Sequence, residues 1–320
     1  MIQPSLAPLD ERPSLRFSGH ESFACRYAWL PKAFRFLAEE PDLFADDEAV
    51  MLNLGIGKNM VKSLRFWVEV MGVAQPQNRG RNFLLTHFAT DLFAEDGLDP
   101  YIEDLRTQWL LHWKLSSRRE GAPFAWDYLI GHWPYPEFTR SEALSAFRHE
   151  SKRLGWAHSE TTLAQHLDVF LHSYLSNRGP SVGIEDSLDG PLVDLNFLLA
   201  IGQRKADSGR WEPVYGFRRE AKPEIPAALF DYCLMDFWSR FSPHETTLPL
   251  RTIALAPCSP GQVFKLTEDD VRTRLEEQHA QDFEPIYRYQ PSAVQGLLTR
   301  LSNAPKLTLR QVYERGASHA

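Results

Sequence analysis

Cysteine is scarce: Cys25, Cys233 and Cys258 are the only three in 320 residues, and no two form a CxxC pair. That excludes a zinc ribbon and a disulfide framework, and it points to a reducing cytoplasm. No apolar run approaches the roughly 20 residues of a membrane helix, so no membrane contact is expected. The opening residues, MIQPSLAPLDERP, lack the charged-then-apolar pattern of a signal peptide. A general cationic coat is missing too: 35 Lys and Arg stand against 42 Asp and Glu, for a formal net charge of −7. Any contact with nucleic acid must therefore pass through a local basic face, while the acidic remainder opposes unspecific adhesion. Nucleotide loops fail as well. Around Gly55-x-Gly57-Lys58, a phosphate loop would need glycine where Leu52 stands and Ser or Thr where Asn59 stands. A dinucleotide fingerprint would need glycine in place of Met60. His149, His158, His166 and His172 show no i, i+4 pairing, which argues against a metal site among them.

A hydrophobic fraction of 43% and an aromatic fraction of 12% are those of a globular chain long enough for two or three domains. The most informative stretch runs from Asp46 to Thr86. Asp46 to Asn53 reads as a short helix, and Leu54-Gly55-Ile56-Gly57 as the turn that lets a second helix cross it. In that second helix Met60, Leu64, Trp67 and Met71 fall on one side, and Lys58, Lys62 and Arg65 share the other. Asn59 and Ser63 flank the cations. Cations fix the register on phosphates and short polar groups reach base edges, which is what a recognition helix requires. A short apolar strand, the turn 77–81 and a return strand 82–85 then resemble a wing with Arg79 and Arg81 at its tip. Between Leu52 and Ala89 five cations face one acid, Glu69. A charge run is ordinarily only a solvated face; turn, helix and basic wing together favour a DNA-binding winged helix-turn-helix.

Upstream lies Phe17-Ser18-Gly19-His20-Glu21-Ser22-Phe23, followed by Arg26 and Lys32. Ser18-x-x-Glu21 can serve as a capping box for the helix leading to Ala38. The alternative is a polar cluster beside the DNA helix, with His20 and Glu21 available for acid–base work or metal binding and Ser18, Arg26 and Lys32 for DNA.

The patch FSGHESF, the spacing R-x-x-W-L-x-K and the run LGIGKNMVKSLRFW together resemble the bacterial family catalogued as domain of unknown function 4007. The likeness continues through Asp99 to Asp104, Trp109 to Leu115, Glu185 to Asp189 and Pro260 to Leu266, and so covers nearly the whole chain. Members of that family accompany DNA phosphorothioation genes, beside a cysteine desulfurase, an ATPase and a sulfurtransferase. In single-strand Ssp-type systems the family member, the B component, is described as a nicking endonuclease. The resemblance thus implies DNA nicking in the service of sulfur insertion, as part of anti-phage defence, with DNA and the sulfur-transfer and ATPase components as partners. It assigns no catalytic residue, and the alternative is a non-catalytic DNA-binding adaptor or transcriptional regulator of the same system.

A nick needs an activated water and charge stabilisation at the departing oxygen, usually from Mg2+ or Mn2+ held by carboxylates. Two sets of residues offer themselves. One is His20-Glu21 with Ser18, Arg26 and Lys32. The other is Asp186 with its acidic neighbours, followed by Glu220-x-Lys222, in imitation of the metal-and-lysine site of restriction nucleases.

Trp109, Trp113, Trp126 and Trp133 lie on expected helices, Tyr101–Leu115 and Phe124–Trp133, where they either stack bases or fill a core. Thr139-x-x-Glu142 opens a helix to about Arg153, and Ser159 caps another over Glu160–Tyr174. This second helix-turn-helix-like pair carries Gln165, His166 and Asp168 where cations would be needed, and suits a structural or protein-contact role. Beyond Asn177 the pattern predicts a strand over Trp211–Arg218 and a helix over Ala227–Phe241. It then predicts a charged helix over Leu266–His279, a strand over Phe283–Tyr289 and a helix over Ser292–Leu301. The expectation is a mainly α chain with small β elements in three units. A winged helix over 1–96 comes first, a helical module over 97–176 second, and an α+β portion over 177–320 last.

Overall fold

The computed structural model describes residues 14–77, 82–176, 190–277, 285–292, 295–301 and 307–314. Helices dominate and the sheets are small, as the sequence pattern requires. After β1 (Leu15–Arg16) come α1 (Trp29–Glu39), α2 (Asp47–Leu54), α3 (Lys58–Val70), β2 (Ala74–Gln77), β3 (Asn82–Leu85) and α4 (His87–Phe93). The centre holds α5 (Leu105–Ser116), β4 (Ala122–Pro123), α6 (Phe124–Trp126), β5 (Glu137–Thr139), α7 (Arg140–Arg153) and α8 (Glu160–Tyr174). Then follow β6 (Leu198–Lys205), β7 (Trp211–Phe217), α9 (Ala227–Phe241), β8 (Thr247–Pro249), α10 (Leu250–Leu255) and α11 (Pro260–Val263). The last described elements are α12 (Glu268–Glu277), β9 (Tyr287–Gln290), β10 (Leu297–Arg300) and α13 (Leu309–Glu314).

Local chemistry explains the element ends. Asp46 caps α2 by accepting the N–H groups of Glu48 and Ala49, two acids occupy its first turn, and Gly55 closes it in the left-handed conformation. Thr139 and Glu142 form the full capping box of α7, and Ser159 accepts the Thr162 N–H at the start of α8. The hairpin β2–β3 pairs antiparallel from Ala74 opposite Leu85 to Gln77 opposite Asn82. Two three-stranded sheets have the orders β5-β7-β6 and β8-β10-β9. One buried apolar cluster reaches from Phe17 to Val312. Aromatic contacts within it cross the expected unit boundaries: Trp67 meets Trp126 at 5.8 Å and His112 meets Phe197 at 4.4 Å.

Three expectations need correction. Leu297–Arg300 is a strand where a helix was expected, because β8 and β9 satisfy its backbone on both sides while Leu298 enters the core. No capping box forms at Ser18: Glu21 sits at φ +50, and α1 begins only at Trp29, behind Ala28, with no side-chain cap. The α-helix at Phe124 gives way after Trp126 to a wider π-type turn over Asp127–His132. Of the two roles open to Trp109, Trp113, Trp126 and Trp133, burial selects the core, and none presents a face for stacking a base. The β6 strand carries no strong signature in the sequence and was missed.

Candidate nucleic-acid interface

The α3 helix buries a wide arc, with Val61, Leu64, Phe66, Trp67, Val68 and Val70 all in the core. Only a narrow strip is left for solvent. Lys58, Asn59 and Lys62 lie on that strip and are exposed. Ser63, expected beside them, is fully buried and donates its hydroxyl to the Phe23 carbonyl at 3.3 Å. Arg65 is held back too. Its Nε and Nη2 donate to the Phe44 carbonyl at 2.9 and 2.7 Å, and its Nη1 pairs with Asp47 at 2.5 Å. That guanidinium ties α3 to Phe44 and to the first residue of α2, which leaves it little freedom to reach a base. Lys32, on α1, and Ser18 are exposed, whereas Arg26 is half-buried with its guanidinium 5.7 Å from the Trp29 ring. Arg79 and Arg81 lie outside the described residues.

A cleft of about 700 Å³ opens at the start of α3, lined by Phe23, Arg26 and the segment from Gly55 to Met60. Gly57 precedes the helix and supplies no side-chain cap to the first-turn amides, which lie beside this cleft. Lys58 and Arg26 add charge at the same place. This combination suits an anionic oxygen better than any other ligand.

The loop 17–23 rests against α3 from the other side. Gly19 has φ +113, and a Cβ there would lie 2.9 Å from the Phe66 ring, so no larger residue fits. The next residue, His20, is only 2% exposed and meets Phe66 edge-on at 5.3 Å. Its partners fix its proton. The Ala125 N–H donates to His166 Nε2 at 2.9 Å, which leaves His166 Nδ1 as the protonated nitrogen. That nitrogen donates to His20 Nε2 at 2.5 Å, and His20 Nδ1 then donates to the Glu21 carbonyl at 2.8 Å. Both rings are neutral in this relay. Burial is the main reason: it lowers His20 to about 4 and takes His166 well below the ordinary histidine range. Both nitrogens are engaged, so this arrangement leaves His20 no free nitrogen for the acid–base or metal-binding role expected of it.

Glu21 differs. Its left-handed backbone is costly for a non-glycine residue and turns the side chain towards α3, where Oε1 lies 3.8 Å from Lys62 Nζ. The carboxylate is about one-third exposed and stands at the edge of the basic strip.

The second set fares worse. Lys222 is fully buried, its ammonium donating to the carbonyls of Arg218, Glu220 and Lys265 at 2.7, 3.1 and 3.4 Å. Burial and the nearby Arg218 lower it to about 8. The Glu220 carboxylate points out to Arg218 at 3.3 Å, away from that ammonium, and Asp186 lies outside the described residues. Glu220 and Lys222 therefore do not form a metal-and-lysine pair. Among the described residues no group of three or more His, Cys, Asp or Glu side chains is placed to hold a metal. Around Glu21 the donor set does not fit Mg2+, which takes an octahedron of oxygens; here the carboxylate is faced by an ammonium.

Comparison with known proteins gives a consistent picture. The family described as "Protein of unknown function (DUF4007)" matches residues 17–313. Two solved structures share the fold over almost the whole chain. A magnesium-ion-bound SspB is 26% identical with a TM-score of 0.77, covering 95% of this chain and 94% of its own. A second SspB structure, at 23% identity and a TM-score of 0.75, covers 96% of this chain and 95% of its own. No curated protein matches. Among the described residues no helix is long and apolar enough to cross a membrane.

Proposed function

The chain belongs to the DUF4007 family, and on that footing we propose that it is a DNA-binding component of a bacterial phosphorothioate modification and defence system. In this reading α2, α3 and the β2–β3 hairpin act as a winged helix. Lys58 and Lys62 meet phosphates, Asn59 reaches a base edge, and the uncapped start of α3 receives a backbone oxygen. The observation that carries it is the exposed strip of α3: in a chain of net charge −7, two lysines and an asparagine line the face left free by seven buried neighbours. The sulfur-transfer and ATPase components are the expected protein partners.

A second reading adds strand nicking, and one observation favours it: the SspB structure at 26% identity carries a magnesium ion. No residue set described around α3 fits that ion, so this reading names no metal ligand; Glu21, at the edge of the strip, is the acid nearest the proposed path of the DNA backbone. Supercoiled plasmid incubated with the protein and Mg2+ or Mn2+ tests this. Open circles from the wild type and none from Glu21→Ala would place the chemistry beside α3. A clear gel shift with no open circle in either metal would leave the binding reading standing and remove the nicking one.

A further inference from the structure

A second cationic site lies on the other side of the hairpin. Between the end of α3, the last turn of α5 and the last turn of α9 is a pocket of about 610 Å³, with Lys114, Arg118, Arg119 and Arg240 around it against two acids, Glu120 and Asp236, and with Phe88 and Phe241 in its walls. Two of the cations are already matched. Arg118 pairs with Glu69 at 3.6 Å and donates to the Glu69 carbonyl at 3.0 Å. Arg240 pairs with Asp236 at 2.6 Å and donates to the Ser117 carbonyl and hydroxyl.

The other two are not matched. Among the described residues no carboxylate lies within ion-pair distance of Lys114 or Arg119. Lys114 is nevertheless not loose: its ammonium stands 5.0 Å from the Phe88 ring centre and 6.0 Å from that of Tyr232. Gly72, at φ +75, leaves room for its stem, since a Cβ there would lie 3.4 Å from Lys114 Cγ and Cδ. A half-buried ammonium oriented by aromatic faces, an exposed guanidinium nearby and a half-buried Phe241 ring, packed on Phe237 at 5.2 Å with the Arg240 guanidinium 5.1 Å from its centre, describe a site for an anion with a flat apolar part.

We propose that this pocket binds a nucleoside phosphate, with its phosphate between Lys114 and Arg119 and its base against Phe241. Lysine supplies a point charge and arginine a planar fork for phosphate oxygens, while an aromatic face accepts any base. The volume is that of a small-ligand site. The nucleotide can be free or can be one unit of a DNA strand; the chemistry is shared. None of these residues belongs to the exposed strip of α3, so the proposal does not depend on that strip.

Calorimetric titration of the full chain with dAMP, with inorganic phosphate and with a short single-stranded oligonucleotide tests it. The double variant Lys114→Met, Arg119→Ala is measured beside the wild type. Arg119→Ala alone is the fold-safe variant, because that side chain is exposed. The expected result is saturable binding of dAMP or of the oligonucleotide to the wild type, weakened about tenfold or more in the double variant and in the same direction by Arg119→Ala. Binding of dAMP identifies a free nucleotide as sufficient; binding of the oligonucleotide alone identifies the strand as the source. Lys58→Glu, Lys62→Glu should leave dAMP binding unchanged, which separates this site from the α3 face. No binding of either nucleotide probe, or binding indifferent to both variants, overturns the proposal. Binding of inorganic phosphate alone also overturns it, since the base contact would then be absent.

Discussion

Two helical pairs, α2–α3 and α7–α8, have much the same outline, yet they present opposite chemistry. On the exposed strip of α3 stand Lys58, Asn59 and Lys62. The corresponding surface of α8 holds Glu160, Thr161, Gln165, Asp168 and His172 along a shallow, mostly apolar groove. Its acid is already spent on its own pair, for Arg140 grips Asp168 with two hydrogen bonds of 2.7 and 2.8 Å. On the first pair Lys58 has no ion-pair partner among the described residues and Lys62 only a long contact of 3.8 Å with Glu21; on the second, Arg140 holds Asp168 at 2.7 Å. In the proposed reading a helix-turn-helix outline alone does not make a DNA reader, and the sign of the exposed charge separates the two.

The largest expected effect comes from reversing that sign. Lys58→Glu with Lys62→Glu should weaken duplex binding by about a thousandfold and reduce the salt slope by about 2, read by filter binding at several salt concentrations. Equal affinity would end the distinction between the two helices.

Next in size is the joint between the pairs, where His20 from the loop on α3 meets His166 of α8. The unfolded imidazoles take up protons near pH 6.5, but the folded His20 does so only near pH 4. Between those values the unfolded state binds more protons, so stability rises with pH and is lost as pH falls through that window. The share due to His20 alone is ~3 kcal/mol between pH 7 and pH 4. Urea midpoints measured across this range should drop steeply for the wild type and less so for His20→Gln.

A smaller effect is expected at Arg65. Removing its bonds to Phe44 and Asp47 should cost about 2 kcal/mol of stability. DNA affinity measured well below the melting point should hardly change, in contrast to Lys58. The smallest effect is expected at Arg140→Ala. Both partners of that ion pair are more than a third exposed, so the loss should stay below ~1 kcal/mol, with DNA binding untouched.

How much of this was legible in the sequence follows from the range of the interactions. The ends of α2, α7, α8 and α9 could be read because caps and periodicity act over a few residues, as Asp46, Thr139 and Ser159 do. β10 could not, since its strand state depends on partners from β8 and β9 that no local pattern announces. Ser63 and Arg65 had the right helical phase for an exposed face, but the loop carrying Phe23 and the segment at Phe44 close over them. The relay from Ala125 through His166 to His20 joins residues 146 positions apart and leaves no trace in spacing. Lys222 looked like half of a nuclease motif; its ammonium is bound by the backbone, including a carbonyl at Lys265.

The central claim is that the strip of α3, and not that of α8, meets DNA. Photo-crosslinking tests it most directly: a benzophenone amino acid replaces Asn59 in one protein and Gln165 in another, and each is irradiated with a labelled duplex. The account predicts a protein–DNA adduct from position 59 and none from position 165. An adduct from position 165 alone, or from neither position under conditions where the duplex is bound, would contradict it.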